Sequence, residues 1–177
     1  MTGMNFQRRI VSHGILLAIL WIPSVGLCNE HQINGTWKID REASTAIDPW
    51  RSIELVIEAD ELEIVVNRTV STGRRKSSQE YNLMIGEITI ADVEWWTGNR
   101  HIGAYMGGDG KELMVARWLD GGRTLRVESG FTLATSQGET RVRNYYEYRL
   151  SPDGNELTVI ELRSSRNRPI VHVFKRI

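Results

Sequence analysis

Apolar residues recur at every second position along most of this chain, and that one periodicity excludes most folds. Ile53, Leu55 and Ile57 alternate with Ser52, Glu54 and Glu58, and Leu62, Ile64 and Val66 alternate with Glu61, Glu63 and Asn67. A β-strand sends successive side chains to opposite faces, so each set puts its apolar members on one face and its charges on the other. The short Ala59-Asp60 link predicts that the two form a hairpin. The same alternation returns in Leu113, Val115, Arg117 and Leu119, in Leu125, Val127, Ser129 and Phe131, and in Val142, Asn144, Tyr146, Tyr148 and Leu150. Beyond the first residues, no long stretch carries the period of an amphipathic helix.

The turns agree with this reading. Asp109-Gly110, Asp120-Gly121 and Asp153-Gly154 each precede a leucine that opens a new strand. Glycine supplies the positive φ that tight hairpin turns need, and aspartate tolerates the neighbouring position. None of these turns carries the alternating acidic ladder with a distal glutamate that a calcium loop requires, so they read as hairpin turns and no metal site is expected. Short links between consecutive strands make sequence neighbours antiparallel partners.

The N-terminus has a different character. Arg8 and Arg9 precede an apolar run from Ile10 to Trp21, followed by Pro23, Ser24 and Gly26. That order is a secretory signal, and the run is shorter than the ~20 residues of a spanning helix. Residues 1–28 are read as a signal peptide and 29–177 as one domain, with cleavage after Gly26 or Cys28. A retained N-terminal membrane anchor and lipidation at Cys28 are the alternatives. The expected location is secreted or periplasmic. Without the leader, 20 basic residues face 22 acidic ones. A chain so close to neutral has no general attraction for nucleic acid or anionic lipid. Cys28 is the only cysteine, so no intrachain disulfide can form and the fold must hold by packing.

Gly35-Thr36-Trp37, opening the first strand just after the leader, resembles the Gly-x-Trp signature of the lipocalin and calycin superfamily. Asn144-Tyr145-Tyr146-Glu147-Tyr148 is similar to that family's aromatic strand, and Leu150-Ser151-Pro152-Asp153-Gly154 resembles a late turn of small secreted lipocalin-like domains. The resemblance implies an all-β, antiparallel up-and-down meander barrel of about 8 to 10 strands. It also implies that Trp37 packs across the closed end beneath a late-strand arginine, Arg176 or Arg163, with Gly35 beside it. The absent cysteines and the lack of a C-terminal helix depart from many lipocalins.

In a barrel, inward positions carry function. Strand phase directs Arg117, Asn144, Tyr146 and Tyr148 inward, along with Trp95, which alternates with Val93. Polar tips on an apolar lining suit a small, partly apolar ligand or a solid core in which the groups bond one another. In Trp95-Trp96, one ring belongs to the core and the other to the rim. The glycines from Gly103 to Gly110 lead into a strand and lack the helix N-terminus of a phosphate loop. His31, His101 and His172 are too scattered for a local ligand motif, and no hydrolase or zinc-protease signature occurs, so neither catalytic residues nor a cofactor is expected. Beside a small-molecule barrel, four readings stay open: an interaction module, a haem protein using His172, an enzyme using interior histidine, tyrosine or arginine, and a filled structural barrel.

Overall fold

The computed structural model describes residues 32–45, 50–92, 105–106, 110–135 and 137–177. The leader, Trp95, Trp96, His101 and most of the Gly103 to Gly110 run lie outside the described residues. The described chain is all-β. Its strands are β1 (Gly35–Asp40), β2 (Ser52–Ala59), β3 (Glu63–Ser71), β4 (Lys76–Met84), β5 (Ile88–Asp92), β6 (Tyr105–Met106), β7 (Lys111–Leu119), β8 (Thr124–Thr135), β9 (Gly138–Leu150), β10 (Glu156–Arg163) and β11 (Ile170–Arg176). All strand pairs are antiparallel, in the order β4-β3-β2-β1-β11-β10-β9-β8-β7-β5, with the short β6 against β8. This is a meander curled into a nearly closed barrel in which the first and last long strands pair, Trp37 lying opposite Arg176.

Short links build the meander, as the Asp-Gly turns predict. Between β2 and β3, Asp60 Oδ1 accepts from the amides of Leu62 and Glu63, both at 2.8 Å. Leu62 consequently belongs to the turn and is exposed, rather than continuing the inward set of Ile64 and Val66. Between β7 and β8, Asp120, Gly121 and Gly122 all adopt positive φ, a run that two glycines make affordable.

One end of the barrel is apolar. Ile33, Trp37, Ile57, Ile64, Leu125 and Leu157 are each buried without accessible surface, and Phe174 joins the same core. Trp37 Nε1 donates to the Ile33 carbonyl at 3.0 Å, so the indole is buried without a lost hydrogen bond. Asn34 fixes the incoming chain by bonding both the amide and the carbonyl of Ala59, at 2.8 and 3.0 Å.

Candidate functional site

Above the apolar floor, the inner wall turns polar. Cross-strand register sets Met114, Ser129, Asn144 and Arg163 in one row and Ala116, Val127, Tyr146 and Glu161 in the next. Tyr148 follows, between Leu125 and Val159, and Val159 is opposite His172. On the other side of the barrel, β3 and β4 present Arg68 and Tyr81. A cavity of about 40 Å³ lies where these walls meet, lined by Val66, Arg68, Tyr81, Leu83, Glu112, Met114, Val127, Tyr146 and Tyr148. That volume accommodates a few waters or a small polar group.

Burial governs the electrostatics. Glu112 is 3% exposed, and desolvation raises its pKa, with the charge of Glu161 adding to the rise and Ser129 and Arg163 opposing it. Glu161 and Arg163, nearly inaccessible themselves, form an ion pair through Arg163 Nε. Desolvation pushes Tyr148 up to about 12 and Tyr146 well above the ordinary phenol value, so both rings stay protonated and can donate. Both tyrosines lie deep in the wall yet keep some accessible surface, and both line the cavity. Tyr146 Oη accepts from Asn144 Nδ2 at 3.4 Å.

The residues expected inside separate into groups. Asn144 is fully buried, and Tyr146 and Tyr148 line the cavity. Arg117 is corrected: it is exposed on the outer face, across from Arg126. The sequence of β7, KELMVARWL, is apolar in both phases, and the inward set is Glu112, Met114, Ala116 and Trp118 rather than Leu113, Val115 and Arg117. Trp95 falls outside the described residues.

At the floor, Arg176 stands over Trp37, its guanidinium carbon 4.2 Å from the ring centroid, whereas Arg163 is in the polar wall. Gly35 has φ +136°, and a Cβ there would lie 2.6 Å from Arg176 Nη1. His172 packs edge-on against Phe174 with centroids 6.3 Å apart, and burial lowers its pKa to about 4, leaving the imidazole neutral. It does not line the cavity. Among the described residues, no group of three or more His, Cys, Asp or Glu side chains is placed to hold a metal, and no helix is long and apolar enough to cross a membrane.

Sequence reasoning missed Arg68, Tyr81, Glu112 and Glu161. Arg68 and Glu161 sit in phase with apolar neighbours, as Ile64, Val66, Arg68, Val70 and as Leu157, Val159, Glu161, and that phase was their signal.

No protein-family model and no curated protein matches the sequence. Among solved structures, the chain is similar to a secretory abundant heat soluble (SAHS) protein from Ramazzottius varieornatus, at 12% identity and TM-score 0.53, covering 84% of this chain and 99% of that one. Secretory abundant heat soluble protein 4 from the same organism gives 12% identity and TM-score 0.51, with 86% and 99% covered. A fatty acid-binding protein from the brain of Drosophila melanogaster overlaps less closely, at 13% identity and TM-score 0.45, with 79% and 95% covered. What the chain shares with the Ramazzottius proteins is its fold, a nearly closed antiparallel β-barrel.

Proposed function

We propose that this chain is an exported binding barrel that takes a small, partly apolar molecule into its interior. The observation that carries the reading is the cavity: Val66, Leu83, Met114 and Val127 supply an apolar lining, while Arg68, Glu112 and three tyrosines add polar groups on converging strands. An apolar lining with a few placed polar groups is how small-molecule sites fix the orientation of a guest. Export is supported by the basic-apolar-small order of residues 1–28 and accords with the word secretory in the names of the Ramazzottius proteins. Asn144, Tyr146 and Tyr148 form the β9 side of the site, and Gly35, Trp37 and Arg176 close the opposite end.

A second reading, a barrel filled by its own side chains, is favoured by the small cavity and by the internal pairing of Glu161 with Arg163. Native mass spectrometry of the protein isolated from its own host decides between them. The binding reading predicts a mass adduct that organic extraction releases as a small molecule. A bare polypeptide mass in every preparation supports the filled barrel instead.

A further inference from the structure

Arg68 is out of keeping with its strand. It sits between Val66 and Val70, both buried, on the phase of β3 that faces the interior. Its charge reaches Tyr148 and His172 across the barrel. The other inward arginines are matched, Arg163 by Glu161 and Arg176 by the carbonyls of Gln32, Asn34 and Gly154. The Arg68 side chain has no ion pair or hydrogen bond with any described residue. A guanidinium facing a cavity with open donors is a fork for a planar or tetrahedral oxyanion, and a half-buried one holds such a partner better than a solvated one. Tyr148, on the facing wall of the same cavity, adds a hydroxyl able to donate. Burial raises the pKa of Glu112, the acid sharing the cavity, and so disfavours its charged form, the one that would repel an oxyanion.

The barrel is also open along one side. β4 and β5 follow one another in sequence, yet no backbone pairing joins them among the described residues, and they are the two ends of the sheet. A groove of about 400 Å³ runs between them, with Ile90 and Ala91 on its β5 side. Tyr81 and Leu83 line both this groove and the interior cavity, so the two spaces share a wall. The cavity takes a polar head but has no room for an alkyl chain as well; the groove has that room.

We propose that Arg68 anchors the single negative head of a small amphiphile, whose apolar part passes Tyr81 and Leu83 into the seam between β4 and β5. This rests on the binding reading above and adds to it the charge of the guest, its anchor and its path.

Three probes with one eight-carbon chain and heads that do not titrate test it by calorimetry on the mature chain: octanesulfonate, octanol and octyltrimethylammonium. The wild type should bind the sulfonate at least about tenfold more tightly than the other two, the scale of one or two charge-assisted hydrogen bonds. Arg68→Gln should reduce sulfonate affinity to that of octanol and leave octanol binding unchanged, with Arg68→Lys intermediate. Ala91→Trp, which fills the seam, should weaken all three. Unchanged unfolding midpoints establish that each variant is folded.

Equal wild-type affinity for the three heads, or a sulfonate preference that survives Arg68→Gln, overturns the anchor and leaves the binding reading standing. Tight binding undiminished by Ala91→Trp overturns the seam. Binding of none of the probes, together with a bare native mass, overturns the anchor and the binding reading together.

Discussion

Arg176 covers the Trp37 ring at 4.2 Å while its two terminal nitrogens donate to the carbonyls of Asn34 and Gln32, each at 2.6 Å. One side chain of the last strand therefore both seals the indole and ties down the segment that leads into the first strand. A cation over an indole face contributes about 0.5–2 kcal/mol, depending on its desolvation.

Trp37→Ala removes the largest fully buried side chain of the floor and should cost about 3–5 kcal/mol in urea unfolding. Gly35→Ala should cost about 1–3 kcal/mol, because its positive φ strains any side chain and its Cβ meets Arg176. Combining Gly35→Ala with Arg176→Ala should cost less than the two single variants summed, since the collision disappears and only the backbone strain persists.

The Glu161–Arg163 pair is almost wholly desolvated, so removing one partner leaves a buried charge uncompensated. Glu161→Gln should destabilise by about 3–5 kcal/mol, whereas Glu161→Met combined with Arg163→Met should recover most of that loss. Chemical unfolding of the three variants checks this; a double variant as unstable as the single one contradicts it.

His172 and Glu112 give stability opposite slopes with pH. The folded pKa of His172 is lowered to about 4 from 6.5, so between those values the unfolded chain binds more protons and stability falls as the solution is acidified. For Glu112 the folded pKa is raised, so the folded chain holds the proton longer and stability falls as pH rises above 4.5. His172→Gln should flatten the acid-side loss between pH 6.5 and 4, and Glu112→Gln should raise stability at neutral pH. Unfolding midpoints measured from pH 4 to 8 read both effects.

β5 turns its isoleucines outward: Ile88 and Ile90 are 69% and 64% exposed, on a strand at the end of the sheet. An exposed apolar edge invites pairing with other chains. Replacing both by lysine should change stability by no more than about 0.5 kcal/mol and slow aggregation at high concentration, as followed by light scattering.

The barrel was legible because most strands keep their apolar residues in a single phase. Ile53, Leu55 and Ile57 in β2, and Leu125, Val127 and Phe131 in β8, are buried as their alternation requires. The site was less legible, for two physical reasons. In β7 both phases are apolar, so periodicity could not choose between Arg117 and Glu112 for the interior, and the decision fell to pairing with β8. In β3 and β10 a charged residue continues the inward phase, and a pattern that assigns charges to solvent passes over Arg68 and Glu161. β5 inverts the rule altogether, with Thr89 and Ala91 on its less exposed face.

Methyl and tyrosine ring resonances, followed by NMR during titration with octanesulfonate, test most directly whether the barrel takes a guest inside. A guest among the inner walls should shift Val66, Met114 and Val127 together with Tyr146 and Tyr148, saturating at one molecule per chain, and in Arg68→Gln the same shifts should need about tenfold more octanesulfonate. Shifts confined to the exposed Ile88 and Ile90, with the interior unmoved, would contradict a binding barrel.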